Sequence, residues 1–274
     1  MQLSKLSPRR VINFIGRQLK TPDPDWIGAY NSFAEVEDGN PWSQKPWIDF
    51  NASKLAKIDR SKFATKHAEP FVIPSTYVVP ALLINQAPAK VRVLDFGGGT
   101  GNSYYSICRH LADPAKVEWL VFDENAALYE VGKTFAPTRP ETPPIFCDAL
   151  PEGPIDIVHI AGTLQYIEDY AGLIASLAER YRPQYFVLTR TYAGNIKTFV
   201  SRQVIRGSNT PCMFLNIDEL RSSFVGVGYS EVLCAPCNPI EPTKFANIPE
   251  PQQIKTSIDM VWQDRRHSAP TSKP

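Results

Sequence analysis

The chain contains the stretch Asp95-Phe96-Gly97-Gly98-Gly99-Thr100-Gly101-Asn102, in which glycines recur at alternate positions after an acidic residue. The short apolar run Val91–Phe96 leads into it, and Asn102–Ala112 has the pattern of a helix. Glycine adopts left-handed backbone conformations easily and lets a ligand press against bare main chain. The stretch therefore predicts a strand, a tight ligand-binding turn and a helix.

Three chemistries use glycine-rich turns of this kind, and the spacing separates them. A phosphate-binding P-loop needs Lys after its last glycine, but Asn102 follows Gly101. A dinucleotide fingerprint, Gly-x-Gly-x-x-Gly, has Asn102 or Tyr104 where its third glycine belongs. The pattern acidic-x-Gly-x-Gly-x-Gly matches at every position and resembles motif I of class I methyltransferases. That resemblance implies that S-adenosylmethionine is bound by Asp95, Gly97, Gly98, Gly99, Gly101 and Asn102.

The middle of the chain alternates apolar runs with helical patterns. This rhythm indicates βαβ units and a parallel sheet that is buried on both faces. The predicted fold class is α/β, a Rossmann-like, doubly wound, mostly parallel sheet with an irregular N-terminal extension. The predicted strands are Val91–Phe96, Val117–Phe122, Ile145–Cys147, Ile155–Ala161 and Tyr185–Leu188, with helices at Asn102–Ala112, Ala126–Phe135 and Tyr170–Tyr181.

The flanking regions follow a different rhythm. We predict an extension over residues 1–89 that packs on or caps the core, a cofactor-binding domain over 90–264, and a disordered tail over 265–274. Phe199–Leu215 is expected to form a hairpin or a lid. Asn216 is expected to cap a helix that runs to Val225. The final predicted strands are Tyr229–Cys234 and Ile254–Trp262.

Two further aspartates follow predicted strands. In doubly wound sheets ligands bind at the carboxyl ends of the strands, near the point where the strand order reverses. Asp123, after the second strand, is positioned to accept hydrogen bonds from both ribose hydroxyls, and Asp148, after the third, to contact adenine. Either aspartate alone is more often a turn or cap residue. Their occurrence in order after the glycine turn favours cofactor binding.

Most of the chain, from about Trp26 to Leu233, resembles a bacterial family of methyltransferases whose genes often accompany those for surface polysaccharides. The matching stretches are Trp26–Phe33, Val93–Tyr105, Thr163–Asp169, Leu188–Thr191, Arg202–Gln203 and Thr210–Leu215. Asp123 replaces the family's usual Glu and preserves the carboxylate, whereas Thr210 replaces a Tyr. The resemblance implies methyl transfer and does not identify the acceptor.

Candidate residues for the transfer step follow the fourth and fifth strands. Gln165 is expected to contact the cofactor, and Tyr166 to act in the pocket rather than only pack. Arg190, with Tyr192, is a candidate to hold an anionic or hydroxylated acceptor. His159 is a candidate general base, although a mid-strand histidine is more often buried and satisfied. The catalytic candidates are thus Tyr166, Arg190 and His159.

Composition and charge limit the classes of function and the cellular locations that the chain is expected to have. The net charge of +1 gives no electrostatic argument for nucleic acid. Five cysteines in 274 residues do not indicate a disulfide framework, and Cys234-Ala-Pro-Cys237 lacks the further ligands of a zinc site. No apolar run reaches the roughly 18 residues of a membrane span. A basic amphipathic N-terminal helix leaves weak peripheral membrane contact open. We expect a cytoplasmic protein without metal.

These observations favour an S-adenosylmethionine-dependent methyltransferase that methylates an oxygen of a sugar, glycan or other small molecule. One alternative is an inactive cofactor-binding module with the same fold. A second, which the glycine spacing disfavours, is an NAD-dependent oxidoreductase. The oligomeric state does not follow from the sequence.

Overall fold

The computed structural model describes residues 23–56, 75–135 and 143–267. Its strands are β1 (Trp26–Tyr30), β2 (Val91–Phe96), β3 (Val117–Phe122), β4 (Ile145–Cys147), β5 (Ile157–Ala161), β6 (Tyr185–Thr191), β7 (Ala193–Gly194), β8 (Phe199–Ile205), β9 (Ser208–Asn216), β10 (Tyr229–Pro239), β11 (Phe245–Ala246) and β12 (Thr256–Asp264). Its α-helices are α1 (Lys45–Ala56), α2 (Ser75–Gln86), α3 (Asn102–Cys108), α4 (Ala126–Phe135), α5 (Tyr170–Tyr181) and α6 (Ile217–Gly226).

The larger sheet has seven strands in the order β10-β12-β6-β5-β2-β3-β4. The five strands from β6 to β4 are mutually parallel, and β12 is antiparallel to both of its neighbours. The predicted α/β class with a doubly wound, mostly parallel sheet is confirmed. The strand order reverses between β2 and β5, which places the ligand-binding edge where the glycine turn begins.

The central strands are apolar without interruption because both of their faces are covered. Successive residues on one strand join different cores. Leu94 and Val158 belong to the apolar cluster under α5 and α6, and Val93 and Ile157 to the cluster under α2 and α3. A short continuous apolar run is therefore the expected signature of these strands.

A second sheet of five strands, in the order β11-β1-β8-β9-β7, is assembled from three separate parts of the chain. The N-terminal extension supplies β1, the segment after β6 supplies β7 to β9, and the connection between β10 and β12 supplies β11. The predicted hairpin is the antiparallel pair of β8 and β9. This sheet was not predicted as a unit, because β1 and β11 are too short to show an alternating pattern.

Several predicted boundaries differ from the structure. Helix α3 ends at Cys108, four residues before Ala112, and a turn through Arg109 and His110 follows it. Strand β6 extends to Thr191 rather than stopping at Leu188. Arg265–His267 form a short 3-10 helix, so the prediction of a disordered tail is wrong for these residues. Residues 268–274 and the N-terminal basic segment lie outside the described residues.

The extension packs on the sheet's helices. Helix α1 contacts α4, and α2 contacts α3. The contacted helices, α3 and α4, are those that follow β2 and β3. The extension therefore lies next to the ligand-binding edge of the sheet. Within the described residues, no helix has the length and apolar character to cross a bilayer.

Candidate functional site

The glycine turn is held against the end of β3. The backbone N–H groups of Gly97 and Gly98 both donate to the Phe122 carbonyl oxygen, at 2.8 and 3.2 Å. Gly97 has a φ of +67°, and a Cβ there would lie 2.3 Å from Cγ2 of Thr163, which follows β5. The Thr163 hydroxyl donates to the Gly97 carbonyl oxygen at 3.2 Å. Glycine is required here because the turn packs directly against the exit of the neighbouring strand.

Asp95 lies behind this turn and does not face the ligand-binding side. It is fully buried; its Oδ2 accepts from Trp119 Nε1 at 3.1 Å, and its Oδ1 lies 2.8 Å from His159 Nδ1. A Cβ on Gly98 would lie 2.7 Å from Asp95 Oδ2. The predicted direct contact of Asp95 with a cofactor is therefore corrected: the carboxylate supports the turn from beneath.

His159 lies mid-strand in β5, next to Asp95, and is only 1% exposed. Its Nδ1 pairs with Asp95 and its Nε2 lies 3.5 Å from the Thr189 hydroxyl. A general base must come within hydrogen-bond reach of the proton that it removes. This position contradicts the prediction of His159 as a base, because Asp95 and Thr189 already occupy its ring nitrogens below the ligand-binding edge.

Asp123 stands at the exit of β3, facing the glycine turn. Its Oδ2 accepts from the Gly99 backbone N–H at 2.9 Å and its Oδ1 accepts from the Asn125 N–H at 2.8 Å. Burial raises the pKa of the Asp123 carboxyl, and the negative charges of Asp95 and Glu124 raise it further, although the two backbone donors oppose this. A carboxylate oxygen has two lone pairs, so each oxygen can accept one more hydrogen bond from a ligand.

One cavity of about 1160 Å³ opens beside the turn, large enough for a nucleoside and a second small molecule. It runs from the exits of β2 and β3 to those of β5 and β6, and the extension forms its far wall. Its lining includes the predicted residues Gly97, Gly98, Gly99, Asn102, Asp123, Gln165, Tyr166 and Arg190. Its lining does not include Asp95, Gly101, Asp148 or His159. Asp148 is exposed after β4, so its adenine contact stays a prediction.

Gln165 and Tyr166 lie in the short 3-10 helix after β5. Gln165 is 2% exposed, and its Oε1 accepts no hydrogen bond from the described residues. The Tyr166 hydroxyl donates to Gln203 Oε1 at 2.7 Å. Burial raises the pKa of the Tyr166 phenol well above its ordinary value, so the phenol stays protonated at neutral pH. Tyr166 is thus a fixed hydrogen-bonding wall of the cavity rather than a base.

Arg190 enters the cavity from a β-bulge. Thr189 and Arg190 of β6 face the single residue Asp259 of β12, between the pairs Thr191–Ile258 and Leu188–Met260. Arg190 has a left-handed backbone with a φ of +57°. Bulges re-aim side chains, and a strained conformation of a residue other than glycine persists only where its surroundings hold it.

The extension contributes residues to the cavity that the sequence patterns do not predict. Trp42, Trp47 and Lys54 all line the cavity. The Trp42 ring meets Trp47 and Tyr166 edge to face, with centroids 5.1 and 4.7 Å apart. Asn125 donates to the Trp42 carbonyl oxygen and ties this wall to the exit of β3. The clustering of aromatic residues within residues 26–50 was the available signal, but it has no period from which a wall could be predicted.

Within the described residues there is no cluster of three or more His, Cys, Asp or Glu side chains that could hold a metal ion. The two cysteines of the CxxC stretch lie on β10, away from the cavity. Cys237 Sγ lies 2.8 Å from the Thr76 hydroxyl, and burial raises the pKa of both thiols. Cys237 thus packs against α2, and Cys234 packs against the apolar cluster under α5 and α6.

No family model matches the chain, and no curated protein matches it. Solved structures do match. An S-adenosylmethionine-dependent methyltransferase from Methanosarcina mazei is 13% identical with a TM-score of 0.50, covering 67% of this chain and 96% of its own. One from Mesorhizobium loti is 15% identical with a TM-score of 0.48, covering 69% and 97%. A magnesium protoporphyrin IX methyltransferase from Synechocystis, with S-adenosylhomocysteine bound, is 14% identical with a TM-score of 0.46, covering 79% and 97%. At 13% identity, the likeness to the Methanosarcina mazei structure shows the fold alone, which is Rossmann-like.

Proposed function

We propose that the protein is an S-adenosylmethionine-dependent methyltransferase. The observation that carries the proposal is the single cavity that joins the glycine turn and Asp123 to Gln165, Arg190 and the aromatic wall. One end offers bare backbone and a carboxylate, which suit an amino-acid group and a ribose. The other end has room for an acceptor. This arrangement lets two molecules meet within one cavity.

The residues present fit the proposed cofactor. Gly99 has a left-handed backbone, and a Cβ there would meet nothing closer than 3.7 Å, so its open face can receive a ligand. Asp123 retains acceptor capacity for the two ribose hydroxyls. The buried Gln165 Oε1, which accepts no hydrogen bond from the described residues, suits the ammonium of the methionine group. Asn102, on the lining beside Thr100, completes the cradle.

When bound, S-adenosylmethionine supplies a methyl group that is already activated on a positively charged sulfur. The protein therefore needs chiefly to align the acceptor and to exclude water. Trp42, Trp47 and Tyr166 provide an apolar wall that displaces water from the acceptor end. Tyr166 and His159 do not qualify as bases, so we propose that transfer depends on proximity and that solvent receives the acceptor's proton.

We propose an oxygen of a sugar, a glycan or another small molecule as the methyl acceptor. The aromatic wall supports this choice, because sugar rings pack their apolar faces on aromatic side chains while their hydroxyls bind polar groups. Gln203 and Arg190, next to that wall, offer such groups. The link to polysaccharide synthesis is likewise a proposal and depends on the family resemblance.

Calorimetric titration with S-adenosylmethionine, S-adenosylhomocysteine and NAD tests the cofactor. We expect both sulfur compounds to bind, NAD to give no heat, and Asp123→Asn to weaken binding by about tenfold or more. Asp218→Asn, an exposed residue of α6, is the matched control. Transfer of labelled methyl to a panel of sugars, sugar nucleotides and glycans tests turnover. Binding without turnover would favour the inactive module, and absence of binding by folded protein would refute the proposal.

A further inference from the structure

The acceptor end of the cavity carries positive charge from three parts of the fold. Lys54 comes from α1, Arg190 from the bulge in β6, and Arg206 from the tight turn between β8 and β9. Lys54 and Arg190 line the cavity, as does Ile205, the neighbour of Arg206. The chain thus brings three cations to one place from segments that are distant in sequence.

Phe50 joins two of these cations. Lys54 Nζ lies 4.3 Å from the centre of the Phe50 ring, and the Arg206 guanidinium lies 3.8 Å from it. An aromatic face attracts a cation, but it does not neutralise the charge. Arg206 reaches this position from a left-handed backbone with a φ of +52°. Two like charges are therefore held on one ring, and one of them, Lys54, lines the cavity.

None of the three cations forms an ion pair with a carboxylate among the described residues, whereas Arg92, Arg180, Arg221 and Arg266 all do. The carboxylates on the cavity wall, Asp123 and Glu124, follow β3. Burial lowers the pKa of Lys54, and the positive charges of Arg190 and Arg206 lower it further. The cations therefore act on one another without compensation from the described part of the chain.

The Arg190 guanidinium also has a buried N–H group that donates no hydrogen bond to the described residues. Its Nη2 donates to the Ala161 carbonyl oxygen at 3.2 Å, whereas its buried Nε donates to no described group. A buried donor without a partner is costly and is rare in folded proteins. Together with the strained backbone, this indicates a side chain prepared for a ligand rather than one placed for packing.

We propose that Lys54, Arg190 and Arg206 form a subsite for a carboxylate or phosphate group of the methyl acceptor. This inference rests on the proposed function, of which it specifies the substrate class. Arginine binds both anions through paired N–H groups, and lysine binds them as a compact charge. The acceptor is therefore an anionic small molecule, and a sugar acid or a sugar phosphate satisfies both the aromatic wall and the three cations.

The test uses four probes on protein saturated with S-adenosylhomocysteine: glucuronate, glucose 6-phosphate, inorganic phosphate and glucose. We expect the anionic sugars to bind about tenfold or more tightly than glucose. Lys54→Gln, Arg190→Gln and Arg206→Gln should each reduce this preference by about threefold or more. Lys45→Gln removes a cation of the same helix that is paired with Asp49 and 83% exposed, and it should leave the preference unchanged.

Added salt gives a readout that needs no variant. Binding of the anionic probes by the wild type should weaken as ionic strength rises, and binding of glucose should not. Absence of saturable binding of every anionic probe, or a preference that survives all three substitutions, would overturn the subsite. Inorganic phosphate is also titrated without S-adenosylhomocysteine. If the sulfur compounds fail to bind while phosphate binds through these cations, the proposed function fails and the anion site stands.

Discussion

Arg190 donates its backbone N–H to Oδ1 of Asp259 at 2.9 Å, across the bulge between β6 and β12. Asp259 is 2% exposed, and its Oδ2 also accepts from the Thr76 hydroxyl of α2 at 3.0 Å. A single buried carboxylate thus connects the extension, the antiparallel strand β12 and the strained residue of the cavity. This contact holds the backbone of the residue whose side chain enters the cavity.

Asp259→Ala is expected to release the bulge. The Arg190 N–H and the Thr76 hydroxyl would lose a buried acceptor, which costs about 1–3 kcal/mol of unfolding free energy. Binding of glucuronate should weaken because the Arg190 side chain is no longer held. Asp259→Asn keeps one carbonyl acceptor, so it should retain more of the unfolding free energy and more of the glucuronate affinity than Asp259→Ala. Denaturant unfolding and calorimetry measure them, and an Asp259→Ala variant with undiminished glucuronate affinity would show that Asp259 does not position Arg190.

Asp123 should make cofactor binding depend on pH. In the proposed complex only the ionised carboxylate can accept hydrogen bonds from both ribose hydroxyls, and burial raises the pKa of this group. Affinity for S-adenosylhomocysteine should therefore be constant at neutral pH and fall as the pH is lowered through that raised pKa. The fall should begin above the ordinary aspartate value of about 4 and approach about tenfold per pH unit. Asp123→Asn should bind more weakly with a flat profile; an unchanged slope in this variant would assign the titration to another group.

Gly97→Ala should destabilise the turn for two separable reasons. The left-handed backbone costs about 1–2 kcal/mol for a residue with a Cβ, and the new Cβ would collide with Thr163. The double variant Gly97→Ala/Thr163→Ala removes the contacts at 2.3 and 2.5 Å but leaves the Cβ of residue 163 at 2.9 Å, so it should recover part of the steric loss and keep the backbone part. Gly226→Ala, at the end of α6 and with nothing within 4 Å of its added Cβ, is the control and should be at least as stable as the wild type. Thermal unfolding is measured on the wild type and the three variants. Equal stability of the single and double variants would mean that the Thr163 side chain moves aside without cost.

The parts of this fold that follow a period could be predicted from sequence. The parallel strands from Val91 to Leu188 are apolar on both faces, which predicts the buried core of the sheet. The glycine spacing excludes the phosphate and dinucleotide turns and predicts the ligand-binding edge. The second sheet could not be predicted in this way, because its pairing of β1 with β8 and β11 joins residues 170 or more positions apart. The predicted roles of Asp95 and His159 were also wrong. The two side chains are hydrogen-bonded to each other across neighbouring strands, and no local sequence pattern indicates such a tertiary contact.

His159→Asn distinguishes a support from a base. An Asn amide nitrogen can take the place of the imidazole Nδ1 and donate to Asp95, whereas it cannot accept a proton from the methyl acceptor. Loss of a true general base lowers turnover by about a hundredfold to ten-thousandfold. We expect turnover, with the acceptor that the panel identifies, to stay within about tenfold of wild type. His159→Ala should instead lower the unfolding temperature, because it leaves the Asp95 carboxylate buried with one partner fewer. Methyl-transfer rates and melting curves are measured on both variants; a well-folded His159→Asn protein that has lost turnover would return His159 to the list of catalytic residues.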